Sequence, residues 1–438
     1  MNWQQLRGML NAGACSLTKS QAGRNVFFLG LSQAINFLQP LIIVPYLVHT
    51  LGLEKFGLLA FAMAIATYLN NITDFGFNYN ATGKVSVNRH DKKMLGRLFS
   101  SVMLVKAGLF AISAGAFLLV VFSFERFREE LPLYLSTLLL VFGKMLVPSW
   151  LFQGLEKMQI ISLYNLFSKI LLTVLLLLLI NQKADYVWVH AIYGLTDITV
   201  AIGAVVFLFS RSLITWSQAS LQEIKNLLQT GWGIFAGNFS STIYSNIHII
   251  ILESFVSPVA LGAFSVAEKV VTIAKQVAIV LMNGVYPAAC RIYAEGIEVL
   301  KDKLLKLMLF ITLLFTAIGL ALFAGAVPLA SLLADSGIPQ IAGYLQLLAF
   351  VPLINALNIP AYIMLLLADL RKAYLPTLLL GTVVAVSFNF LLVPVYGAKG
   401  TVFSILITEA FITLTFYLLL KLEYRPLNFL NFKYARFR

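Results

Sequence analysis

The stretch IISLYNLFSKILLTVLLLLLI, residues 160–180, decides the fold class. Ser162, Asn165, Ser168 and Lys169 lie in its first half, and its second half, Ile170 to Ile180, is apolar but for Thr173; about 20 predominantly apolar residues wound as a helix cross roughly 30 Å of hydrocarbon. A membrane β-barrel would also satisfy its own backbone in lipid, but its strands alternate apolar and polar residues, and Ile170 to Ile180 does not alternate. The remainder of the chain agrees. Its 438 residues are 60% hydrophobic and 12% charged, about half the charge of a soluble domain, and the mean hydropathy is +0.87.

Comparable runs at 25–48, 56–79, 99–122, 131–153, 186–209, 227–254, 258–288, 304–333, 341–367, 374–394 and 400–420 complete the map. The fold class expected is therefore all-α, a polytopic membrane protein of about twelve transmembrane helices, with no length left for a soluble catalytic domain. Around the spans lie a cytoplasmic N-terminus (1–24), an N-terminal six-helix lobe (25–209), a cytoplasmic connector (210–226), a C-terminal six-helix lobe (227–420) and a cytoplasmic tail (421–438). The first span is expected to act as an uncleaved insertion signal, because residues 1–24 are too polar for a signal peptide. Two prolines within six residues, Pro40 and Pro45, predict a hinge in that span.

Charge supports the map and orients it. With the N-terminus inside, 22 basic residues fall on cytoplasmic segments and five, Lys55, Arg126, Arg128, Lys183 and Lys399, fall outside. The positive-inside rule then puts both termini in the cytoplasm. The same distribution explains the net charge of +13 as membrane-surface charge, with no nucleic acid as partner. Two cysteines, Cys15 and Cys290, make no disulfide framework, and the four histidines lack metal-ligand spacing. No P-loop and no H-E-x-x-H occurs, so no enzyme activity, cofactor or metal is expected, and any movement of a substrate would have to be driven by an H+ or Na+ gradient, by membrane potential or by consumption of product.

Ionised groups inside the spans are costly unless they snorkel, pair or face water. Lys106, Lys144 and Lys169 in the first half stand against Asp74 and Asp197; Glu268, Lys269 and Lys275, with Glu409, occupy the second. If the first group shares a cavity, its field is positive and suits an anion such as a diphosphate; the alternative is that these charges pair to fasten helices. Lys106, about eight residues into its helix, is placed to snorkel. Glu268 and Lys275 share a helix face, and Asn78 and Asn246, in polar-interrupted spans, join the candidate cavity residues. His190 reads as a packing or interfacial residue. An internal repeat is visible where FGLLAFA at 56–62 resembles LGAFSVA at 261–267, an offset of 205, as in transporters built from two parallel halves.

Three stretches, VPYLVHTLGLEKFGLLAFAMAI (44–65), ITDFGFNYNATGKVSVNRHD (72–91) and WLFQGLEKM (150–158), with LGAFSVAEKV (261–270) in the second half, resemble the polysaccharide repeat-unit flippases of the O-antigen transporter type. That group shares a superfamily with multidrug extruders and lipid II flippases, and the resemblance runs over about residues 20–420. It implies a V-shaped pair of six-helix bundles in the bacterial inner membrane. These pass an undecaprenyl-diphosphate-linked oligosaccharide from the cytoplasmic to the periplasmic face by alternating access, with a polysaccharide polymerase and a chain-length regulator as partners beside membrane lipid. Asp74, Asn78, Asn80 and Arg89 lie in one motif and Gln153, Glu156 and Lys157 in another, the latter three as fold or gating residues. The alternatives are another lipid-linked glycan (exopolysaccharide, capsule or enterobacterial common antigen) or a multidrug/cation antiporter of the same fold.

Overall fold

The computed structural model describes residues 21–367 and 371–423, so the readings made at Cys15 and over most of the tail lie outside the described residues. Apart from the short 3-10 turn Lys183–Asp185, the regular structure among the described residues is α-helical. Its helices are α1 (Gln21–Asp74), α2 (Phe77–Val87), α3 (Lys92–Ser123), α4 (Glu125–Glu129), α5 (Leu131–Leu146), α6 (Ser149–Gly154), α7 (Met158–Leu179) and α8 (Tyr186–Ser210). They continue with α9 (Leu221–Glu253), α10 (Pro258–Glu295), α11 (Ile297–Ala324), α12 (Ala326–Leu333), α13 (Ile338–Leu348), α14 (Val351–Leu367), α15 (Arg371–Tyr396) and α16 (Ala398–Glu423). Nine helical stretches among the described residues are long and apolar enough to cross a membrane, which makes the chain a polytopic membrane protein.

Each interruption has a local cause. Residues 21–74 are helical throughout except at Gly52 (φ 79°, ψ 166°), a conformation open to glycine at little cost. The sequence placed the bend at Pro40 and Pro45; both lie in helical backbone, and the break is at Gly52 instead. Membrane helices tolerate proline because neighbouring groups take up the freed carbonyl, whereas no ordinary helix accommodates φ near +79°. The expected second span ends early at Phe75 and Gly76, both at positive φ, before α2 begins. The fourth is divided at Val147 and Pro148 into α5 and α6. The Asp91 carboxylate accepts a hydrogen bond from the Met94 amide at 2.9 Å and caps α3. In the expected connector only residues 211–220 are irregular, because α9 already starts at Leu221.

The chain divides into two compact units, the first formed by Met1–Ile43 and Ile65–Phe239, the second by Val44–Ala64 and Ser240–Arg438. The first has a core that includes Phe77, Leu98, Trp150, Leu151 and Leu208. The second has one that includes Leu300, Ile311, Phe315, Ile363 and Phe416.

Within the second unit the two copies of the internal repeat touch. A Cβ on Gly57 would lie 2.1 Å from the Pro258 carbonyl oxygen, and one on Gly262 would lie 2.0 Å from the Leu53 carbonyl oxygen. Each glycine therefore faces the backbone four residues before the other, so the crossing is reciprocal. Absent side chains let the two backbones approach to van der Waals contact, the usual way for helices to associate where lipid offers no hydrophobic drive.

Candidate functional site

In the first unit a second glycine crossing positions the charges. A Cβ on Gly143 would meet the Gly194 carbonyl oxygen at 2.3 Å, and one on Gly194 would meet the Leu139 carbonyl oxygen at 2.5 Å, so α5 and α8 pack backbone to backbone. Lys144 follows the first of these glycines and Asp197 comes one turn after the second, which sets the two side chains in one another's field. Asp197 also interacts with Lys169 of α7 and accepts a hydrogen bond from the neighbouring Ser168 hydroxyl. Two lysines thus interact with one carboxylate. Lys144 is exposed on this unit, and an ammonium at such depth has to face water, since lipid would not solvate it.

Lys106 does not belong to that cluster. Its side chain is 5% exposed and its Nζ lies 2.9 Å from Asp74 Oδ1, so it does not snorkel as expected from its depth. The reason is the end of α1, which turns Asp74 toward α3 and offers a carboxylate closer than the interface. Asn78 has a different neighbour, since its side-chain oxygen accepts from the Ser149 hydroxyl at 3.1 Å. The other motif residues are also joined across α2 and the segment following it: Thr82 donates to the Trp150 carbonyl at 3.1 Å, and Arg89 pairs with Glu156 at 3.2 Å. Asn80 donates to Thr230 at 2.8 Å, and Lys84 pairs with Glu223 at 2.7 Å, which ties α2 to α9. His190 is buried and shares a 2.8 Å hydrogen bond with Thr137.

In the second unit Asn246, Glu268, Lys269, Lys275 and Glu409 line one cavity of about 380 Å³, together with His248. Its charges are matched. Lys275 Nζ lies 2.7 Å from Glu409 Oε1, and His248 Nε2 lies 2.8 Å from Glu268 Oε1. Asn355 donates to the other oxygen of Glu409 at 3.4 Å. Glu268 and Lys275, seven residues apart on α10, reach separate partners on α9 and α16. The sequence reading missed Asn355, Asn358 and Asn389 as parts of this region, although a carboxamide in an apolar span is itself a signal. No group of three or more potential metal ligands occurs among the described residues.

The family model described as "Polysaccharide biosynthesis protein" matches residues 22–293. Two curated relatives both carry the name "Putative O-antigen transporter". The one from Escherichia coli (strain K12) is 25% identical over 395 residues, covering 89% of this chain and 94% of its own. That from Shigella dysenteriae is 25% identical over 399 residues, covering 89% and 98%. Among solved structures, the lipid II flippase MurJ in an inward closed conformation superposes with a TM-score of 0.68 at 13% identity, covering 93% of this chain and 89% of that one. An inward-facing multidrug resistance MATE family transporter of the MOP superfamily gives 0.67 at 15%, covering 91% and 94%. At these identities the two structures show a shared fold.

Proposed function

Because this chain belongs to the polysaccharide biosynthesis protein family, we propose that it is a flippase for a lipid-linked glycan, an undecaprenyl-diphosphate-linked O-antigen repeat unit carried from the cytoplasmic to the periplasmic face of the inner membrane. The observation that carries the proposal is the pair of lysines, Lys144 and Lys169, held within a membrane unit against the single carboxylate of Asp197. A diphosphate cannot enter hydrocarbon unpaired, where even neutral polar groups cost several kcal/mol, about 2–7 for an amide or hydroxyl. A hydrated positive surface lowers that barrier while the polyprenyl tail remains in lipid. The names of the curated relatives support the O-antigen assignment, and the transporter fold supports alternating access.

Twelve spans in two six-helix lobes belong to the same reading. The stretch Gln39–Val87 is 49 residues long, about 73 Å of helix and more than two bilayer cores. Helices α9 and α10, of 33 and 38 residues, are long enough to cross although their polar residues lower their hydropathy.

A multidrug/cation antiporter is the second reading, favoured by the MATE-like fold. It is weakened by the second-unit cavity, where both glutamates already have cationic or imidazole partners. The test is translocation of labelled undecaprenyl-diphosphate oligosaccharide in proteoliposomes, beside a variant carrying Lys144→Gln and Lys169→Gln. Transport by the native chain that falls at least tenfold in the correctly inserted variant supports the proposal. Equal rates remove the lysines from it, and drug efflux without glycan transport replaces it.

A further inference from the structure

The second unit holds two adjoining hollows, each about 380 Å³, that share Tyr244, Ile279, Asn355 and Glu409. We propose that together they form a subsite for the uncharged sugar residues of the glycan, a ligand class distinct from the diphosphate assigned to the first unit. The proposal rests on the flippase reading and deepens it.

Charge balance is the first argument. The first hollow contains Glu268, Glu409, Lys269 and Lys275, two acids and two bases, and His248 is engaged with Glu268. Lys275 and Glu409 are joined at 2.7 Å, so neither offers an unshared charge to a small ion. Lys269 acts on the adjoining Glu268, and the wall otherwise mixes neutral hydrogen-bonding side chains, among them Asn246, Thr272, Gln276, Asn355 and Asn389, with apolar ones such as Ile249 and Val351.

The second argument is an unmet demand for donors. The side-chain oxygens of Asn358, in the second hollow, and Asn389, in the first, are buried and have no hydrogen-bond partner. Asn389 as a residue is only 1% exposed, and its amide nitrogen is spent on the Ala385 carbonyl and the Ser404 hydroxyl. Buried carbonyls in this state are under-satisfied and call for an O–H or N–H from water or from a ligand. Sugar hydroxyls supply such donors in quantity.

The third argument is shape and surface. The second hollow adds the rings of Tyr362 and Phe416 to the shared ring of Tyr244 and these amides. A pyranose has one face of C–H bonds that packs on an aromatic ring and a rim of hydroxyls that needs carboxamides and hydroxyls, which is the mixture found here. Both volumes fall in the range of sites that hold small molecules, about 300–1,000 Å³.

The test is saturation-transfer NMR on the purified full chain in detergent, with free glucose, galactose, mannose, rhamnose, N-acetylglucosamine and N-acetylgalactosamine as probes. Millimolar binding of at least one is the expected result, weakened about three- to tenfold by Asn358→Ala, the worth of one neutral hydrogen bond. Gln276→Ala, at a half-buried wall position, provides a second variant with the same expectation. Absence of binding by all six sugars overturns the proposal, as does binding that both variants leave unchanged. A rise in melting temperature with Na+ that Asn358→Ala abolishes, with the sugars inert, also overturns it in favour of a cation site. Sugar binding in a chain that fails to move lipid-linked glycan would instead refute the flippase reading alone.

Discussion

Lys106 shows how far depth in a span can mislead about a single residue. Counting residues from the helix end gives it a route to the interface, but Asp74 arrives from another helix and the two close a buried ion pair at 2.9 Å. Removing one member of such a pair leaves a bare charge in a poorly solvating interior, a loss of about 3–5 kcal/mol. Lys106→Met is therefore expected to lower yield and melting temperature sharply, and Lys106→Met with Asp74→Asn to recover most of the loss, both read by tryptophan fluorescence on heating. If single and double variants melt alike, the pair has no structural role. His49 makes a smaller claim. Its Nδ1 is 2.9 Å from Asp335 Oδ2 and its Nε2 is 3.1 Å from the Leu332 carbonyl oxygen. Both neighbours are acceptors, and a neutral imidazole has one N–H, so only the imidazolium fills both contacts. Because the groups are exposed, the difference is at most about 1 kcal/mol. That stability is whole below the ordinary imidazole value of about 6.5 and is lost as the pH rises above it, so the native chain's melting temperature relative to His49→Gln is expected to fall as the pH is raised beyond about 6.5, and parallel pH curves for the two would contradict it.

At the level of elements, the reciprocal crossing of residues 53–57 with 258–262 gives a test with an internal control. Alanine at Gly57 or Gly262 puts a methyl about 2 Å from a backbone carbonyl oxygen that has no rotamer by which to withdraw. The expected cost is about 1–3 kcal/mol or more for each. At Gly108, within α3, a methyl would have nothing within 4 Å, so Gly108→Ala is expected to be neutral or to gain about 0.5–1 kcal/mol. Thermal melts of the three variants in one detergent decide the matter, and equal shifts would refute the crossing. The repeat itself was legible in the sequence as two similar heptapeptides; that the copies bind each other was not, because similarity carries no information on contact. Gly52 was hidden for another reason. Proline is the conspicuous helix breaker, and a lone glycine between two apolar runs reads as an ordinary loop residue until its φ is known.

For the molecule as a whole, composition and apolar run length made the helical membrane class plain, and polar residues in α9 and α10 lower the hydropathy of those two expected spans below that of the nine apolar stretches among the described residues. The candidate site was legible as a set of charges and not as an arrangement: Lys144, Lys169 and Asp197 assemble in one unit, Asn246, Glu268, Lys269 and Lys275 in the other, and Asn78 joins Ser149. Only packing of distant segments determines such groupings. The asymmetry of basic residues predicts that alkaline phosphatase fused after Lys55, Lys183 or Lys399 is active, and fused after His90, Arg211 or Lys301 inactive, in a cell with a periplasm. The reverse pattern would invert the chain and the direction of transport with it.

The contact between Gly57 and Gly262 also has a consequence for biogenesis. The second glycine is synthesised 205 residues after the first, an interval of about 10–40 s at 5–20 residues per second. For that time residues 53–57 are without the segment they pack against. A nascent chain of this kind has to shelter its unpartnered small-residue face by transient association with the insertion machinery, or by lipid, until the second half of the protein is made.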